Sequence, residues 1–180
     1  MIMTNKSAIA QTKHVGHIKV LQSADMHPDS IIEFSIIPDE KTPWHYHTLF
    51  SETFEILKGT LEIGKNKEVF QLSEGDVVSI NPYDKHYFHN ISKEVCLIKV
   101  IASPANKDFE HALLISKGLA RDGLASASGS PKRITDLALF VYLNNSQMVG
   151  VQKIAQPLFN YLARRAIKKG SLKKLTLKYC

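Results

Sequence analysis

His45 and His47, Glu52 five residues beyond them, and His86 further along are the residues whose types and spacing point to chemistry. Imidazole nitrogens and a carboxylate oxygen form the mixed donor set that first-row divalent metals prefer. Residues two apart in a strand share a face, so His45 and His47 turn one way and Tyr46 the other. The same parity sends Glu52, Phe54 and Ile56 inward on the next strand and leaves Lys58 to water. On a later strand His86, Phe88 and Asn90 share a face, and Cys96 shares one with Ile98 and Val100. A buried cluster of imidazoles and a carboxylate is unfavourable without compensating charge, which a divalent cation supplies. The expectation is one divalent ion (Fe, Mn, Ni, Zn, Cu or Co) held by His45, His47, Glu52 and His86. Phe54, Ile56, Phe88, Asn90, Cys96 and Ile98 are expected to line the pocket around it. Glu52 is read as a ligand, although a carboxylate that left the ion could act as a base.

These side chains need a rolled sheet to bring them together. From about His17 to Ala102 the chain reads as short strands separated by turns. Ile31–Ile37 is β-rich and broken by Pro38-Asp39, and Thr53–Lys58 alternates apolar with polar. Gly59 turns into Thr60–Ile63, and Gly64–Lys67 reads as a hairpin turn before Glu68–Leu72. Further strands are expected at Asp76–Ile80, His86–Asn90 and Val95–Ala102. Many short, closely spaced strands indicate a sandwich or barrel.

After Pro104 the pattern changes. Helical spacing is expected over Asp108–Asp122, Pro131–Asn144 and Pro157–Lys169, with a Gly/Ser/Ala linker at residues 123–130 and Gly170 ending the last helix. The implied division is a flexible segment 1–16, a barrel 17–103 and a helical extension 104–180 packed on it.

The net charge of +6 is unevenly spread. Residues 1–116 hold 11 Lys+Arg against 15 Asp+Glu, a balance of −4, whereas residues 117–180 hold 12 against 2, a balance of +10. A basic segment can mark affinity for polyanions, but a solvated helix face is the simpler reading, and nucleic acid is not expected as a partner. Two cysteines are too few for a disulfide framework, Met1–Lys13 has no signal-like apolar core, and no apolar run is long enough for a membrane span. A cytoplasmic location is expected. Neither G-x-G-x-x-G nor a Walker A pattern occurs, so nucleotide-dependent chemistry has no support.

His45-x-His47-x4-Glu52-x6-Gly59 resembles the first motif of the cupin superfamily, and Gly75-x5-Asn81-x-Tyr83-x2-His86-x3-Asn90 resembles its second. The resemblance covers roughly residues 17–103. It implies a mainly β fold, a cupin-type double-stranded β-helix (jelly-roll) barrel, here followed by two or three C-terminal α-helices. It also implies a single metal on His45, His47, Glu52 and His86, and a homodimer. Three turn positions depart from the pattern: Asp39 and Tyr83 stand where glycine is usual, and Asn81 where proline is usual. The extension resembles that of small bacterial cupin-domain proteins.

Two functions follow as expectations. One is a metal-dependent enzyme on a small organic molecule, with dioxygenase-like oxidation slightly ahead of isomerisation or decarboxylation. The other is a non-catalytic module that binds or senses a metal or small molecule. Fold alone does not choose between them.

Overall fold

A computed structural model describes residues 15–180. His14 and residues 1–14 of the expected N-terminal segment lie outside the described residues. Two five-stranded antiparallel sheets form the barrel. The first runs β1 (Ile18–Gln22), β2 (Ser30–Ile36), β9 (Cys96–Ser103), β4 (Ser51–Lys58), β7 (Val77–Ile80). The second runs β10 (Gln147–Met148), β3 (His45–Tyr46), β8 (His86–His89), β5 (Thr60–Lys65), β6 (Glu68–Ser73).

Period-two alternation sets the core. On β4, Glu52, Phe54 and Ile56 are buried, and on β9 so are Cys96, Ile98, Val100 and Ala102. Register places Phe54 beside Val100 and Ile56 beside Ile98, while β2 brings Ile32 beside Val100 and Phe34 beside Ile98. Leu61, Ile63 and Leu72 from the other sheet complete this cluster. Truncating such a side chain leaves a cavity, so Ile98→Ala should cost about 2–5 kcal/mol.

Four α-helices follow the barrel strands β1–β9, against the two or three expected: α1 (Lys107–Arg121), α2 (Ile134–Leu143), α3 (Gln156–Lys168) and α4 (Ser171–Tyr179). Asn106 caps α1, its side chain accepting from the Phe109 N–H at 2.9 Å. Glu110, one turn in, is buried and accepts from the Ser23 and Ser30 hydroxyls and the Ala24 N–H, tying α1 to the connection between β1 and β2. Phe109 and Leu113 enter the barrel core, whereas Ala112, Ile115 and Leu119 face the other helices. Gly170 (φ 75°) ends α3, but the chain then starts α4. Leu172, Leu175 and Tyr179 dock this last helix, and Gly118 makes room for it, since a Cβ there would lie 2.3 Å from the Tyr179 ring.

The extension also joins the sheet. β10 pairs with β3, setting Met148 opposite His45 and Gln147 opposite Tyr46. A 3-10 turn, Gly150–Ala155, follows it. Among the described residues no helix is long and apolar enough to cross a membrane.

Candidate metal centre

His45 lies on β3 directly across from His86 on β8, with ring centroids 4.2 Å apart. His47, two residues on, shares the inward face, 4.9 Å from the His45 ring and 5.1 Å from that of His86. Each imidazole offers a nitrogen within 4.8 Å of the others, and all three rings are buried. These three histidines are placed to hold a metal ion.

Glu52 reaches the same point from β4. Its Oε2 is 3.1 Å from His47 Nε2 and 2.9 Å from His86 Nε2, and the residue is 5% exposed. These contacts are short but lack hydrogen-bond alignment, so His47 Nε2, His86 Nε2 and Glu52 Oε2 have no hydrogen-bond partner. The opposite edges of two rings are occupied. His45 Nδ1 donates to the Pro43 carbonyl at 2.9 Å and His86 Nδ1 to the Asp84 carbonyl at 3.1 Å. That places the ring protons on Nδ1 and leaves the Nε2 lone pairs free, that of His86 facing Glu52. A lone pair facing a carboxylate oxygen at 2.9 Å needs positive charge between them, either a proton or a cation. The donor set therefore fits a divalent metal.

The protonation pattern supports the same fit. Burial, then His86 and His47, pushes His45 well below its ordinary value, so its ring stays neutral. Burial would raise the Glu52 carboxyl, but the adjacent His47 and His86 outweigh it and hold the group far down as a carboxylate. Burial disfavours a charged His86, yet contact with Glu52 outweighs this and raises its pKa.

Residues 32–102 match the family profile described as Cupin domain. This barrel has the cupin-type fold. Solved structures similar to this chain include a cupin-2 domain from Rhodospirillum rubrum, 20% identical with TM-score 0.44, over 48% of this chain and 57% of that one. A cupin-2 domain protein from Shewanella frigidimarina is 23% identical with TM-score 0.41, over 48% of this chain and 79% of that one. KdgF from a Halomonas species is 17% identical with TM-score 0.45, over 51% of this chain and 82% of that one. Curated proteins gave no match.

A cavity of about 380 Å³ extends from the histidine cluster of this barrel to the helices. His45, Glu52 and His86 stand at one side of it, with Phe54, Phe88 and Val100 in the barrel wall. The roof comes from the extension: Leu113 and Lys117 of α1, Phe140 and Val141 of α2, Met148 of β10 and Phe159 of α3.

Of the residues expected to line the pocket, Phe54 and Phe88 do so. Ile56, Cys96 and Ile98 lie elsewhere, in the closed core and at most 1% exposed, and Asn90 is engaged in a turn. Its amide donates to the Ile36 and Glu94 carbonyls and its Oδ1 accepts from Ser92. Strand parity reports which face a residue occupies, whereas the cavity reaches only one end of that face. Sequence reasoning also missed Glu40 and Lys117, a buried ion pair in the cavity wall whose lysine also donates to the Ser35 carbonyl at 2.6 Å. No spacing pattern marks them.

Two of the three turn positions that depart from the family pattern take up left-handed backbone. Asp39 has φ 64° and Tyr83 φ 71°, both in the left-handed region that glycine ordinarily serves. The Tyr83 N–H donates to the His47 carbonyl at 2.8 Å, so this strained turn holds the histidine loop.

Proposed function

We propose that this protein binds one divalent metal through His45, His47, Glu52 and His86 and acts on a small organic molecule in the adjoining cavity. Dioxygenase-like oxidation is placed ahead of isomerisation or decarboxylation. The observation that carries the reading is the convergence of three inward imidazoles and a carboxylate at the edge of an apolar cavity.

A metal held there would supply Lewis acidity toward a chelating substrate. The residues of the chain do the rest. The Pro43 and Asp84 carbonyls orient the His45 and His86 rings. Phe54 and Phe88 exclude water beside the cluster. Glu52 is the only carboxylate in contact with the rings among the described residues, which also makes it the nearest proton acceptor.

The test is metal loading followed by oxygen uptake. Metal-free protein is titrated with Fe(II), Mn(II), Ni(II), Cu(II), Co(II) and Zn(II), and the iron form is then screened against diketones, thiols and phenols in an oxygen electrode. Stoichiometric binding, and oxygen consumption abolished in a folded His86→Ala protein, are expected. Equal metal binding by His86→Ala would end the reading.

A second reading, a non-catalytic binding or sensor module, is favoured by the helical roof, because a ligand in the cavity touches the extension as well as the barrel. Tight ligand binding without turnover would select it. The proposal also includes a homodimer. Val69 on β6 and Val77 on β7 are exposed on strands at the sheet edges, where association would cover them. Light scattering showing a monomer at micromolar concentration would remove that element.

A further inference from the structure

The extension carries an apolar and basic face that the described residues leave uncovered. One side of α3 is used inside the molecule, where Phe159, Leu162, Ala163 and Ala166 pack with Ala138 and Leu139 of α2. Val151, Ile154, Leu158, Tyr161, Arg165 and Lys168 recur at steps of three and four residues through the 3-10 turn and α3, and all six are exposed. Val151 and Ile154 are 85% and 84% exposed, and Leu158 and Tyr161 56% and 57%, so large apolar side chains stand in water. Arg165 Nη1 donates to the Tyr161 hydroxyl at 3.4 Å, which joins the apolar stretch to the basic one. Among the described residues, Lys153, Arg164, Arg165 and Lys168 form no ion pair. Residues 137–180 hold eight Lys+Arg and no Asp or Glu, so this part of the surface calls for an outside anion.

From these facts we infer that the face docks on an anionic lipid surface. Val151, Ile154 and Leu158 gain by leaving water for the acyl boundary, Tyr161 suits the headgroup level, and Arg165 and Lys168 meet lipid phosphate. Only such a partner uses both halves of the face. A nucleic-acid backbone would engage the bases and leave the aliphatic side chains in water. A symmetric pairing of two copies would cover the apolar residues but set like charges together, since residues 137–180 supply no carboxylate side chain. The 3-10 turn also lines the cavity through Gln152 and Ala155, so docking holds the cavity next to the lipid. None of the six stripe residues lines that cavity, and docking does not depend on a bound metal.

In the experiment the full chain is sedimented with vesicles of phosphatidylcholine alone, and with vesicles of one part phosphatidylglycerol to three parts phosphatidylcholine. The anionic vesicles should bind it about tenfold more tightly, and raising NaCl from about 0.05 M to about 0.5 M should remove most of that gain. Arg165→Gln with Lys168→Gln should weaken binding to the anionic vesicles about tenfold. Val151→Ser with Ile154→Ser, which alters no charge, should weaken it by about the same factor. All four side chains are exposed, so the urea midpoints of both variants should match wild type. No binding to the anionic vesicles, or equal binding to both kinds, overturns the inference. So does binding that the serine substitutions leave intact, which marks a surface for polyanions in general, nucleic acid included. Light scattering that finds a dimer for wild type and a monomer for the serine variant assigns the face to a second copy, and likewise overturns it.

Discussion

Asn145 Oδ1 accepts from both the backbone N–H and the hydroxyl of Thr48, each at 2.8 Å, across 97 residues of chain. Thr48 directly follows His47, and Asn145 directly follows the residue that caps α2. The histidine loop and the helical roof are therefore fastened at one point. Asn145 suits the place twice: it tolerates the left-handed backbone it adopts (φ 50°), and its amide oxygen meets two donors.

Asn145→Gly separates these contributions, because glycine adopts the same φ freely and supplies no acceptor. Two donors then lose their partner, and stability should fall by about 1–3 kcal/mol. Metal affinity should fall with it, since the loop after His47 is no longer held. Asn145→Asp, which keeps the acceptor, should retain most of both. Urea unfolding and metal titration on the three proteins decide this. An Asn145→Gly protein matching wild type in both would show the contact to be incidental.

Lys117 and Glu40 give a second prediction. The pair is buried, with the ammonium 5.0 Å from the centre of the Phe34 ring. Removing one partner strands the other charge, so Lys117→Met and Glu40→Gln should each cost about 3–5 kcal/mol. The double variant should recover much of that loss, because neither charge remains. Additive losses in denaturant melts would mean that the two groups act independently.

The inward faces of β4 and β9 were legible because alternation on both is strict and a half-buried strand allows no other register. The cluster was legible for the same reason: His45, His47, Glu52 and His86 all lie on inward positions. Depth was not legible. Ile56 and Phe54 have identical parity, yet only Phe54 reaches the cavity. β10 was invisible because two residues carry no period, and its pairing depends on a partner about a hundred residues away. α4 did leave a signal, Leu172, Leu175 and Tyr179 at helical spacing, but Gly170 reads as the end of the chain's last helix when it is only a bend. At Tyr83 and Asp39 the residue type hid a backbone conformation that both still adopt.

The two cysteines should behave oppositely toward thiol reagents. Cys96 is 0% exposed, and burial pushes its thiol up to about 12, so it carries almost no thiolate at neutral pH. Cys180 is exposed at the end of the chain. Ellman's reagent should therefore titrate one thiol in native protein and two in denaturant. Two rapidly reacting native thiols would place Cys96 outside the core.

Glu110 should give the fold part of its acid sensitivity. Its carboxylate is buried, and burial alone would raise its pKa. The Ser30 hydroxyl, the Ala24 N–H, the Ser23 hydroxyl and Lys107 outweigh burial and lower it. A carboxyl depressed in the folded state binds its proton more readily once unfolded. Its contribution is therefore complete above the unfolded value near 4.5 and declines as pH falls through the folded value. Glu110→Gln loses the charge-assisted bonds at every pH, so it should be less stable than wild type by about 2 kcal/mol at pH 7. The gap should narrow as pH falls below about 4.5, where the unfolded wild-type chain takes up the proton and the folded protein follows at lower pH. Comparing the two proteins cancels the acid sensitivity they share, including that of the histidine cluster. Urea midpoints measured at half-unit intervals from pH 7 to pH 3.5 supply the comparison. A difference that stays constant with pH would show that Glu110 acts through its shape and hydrogen-bond count alone, with its charge contributing nothing to the anchoring of α1.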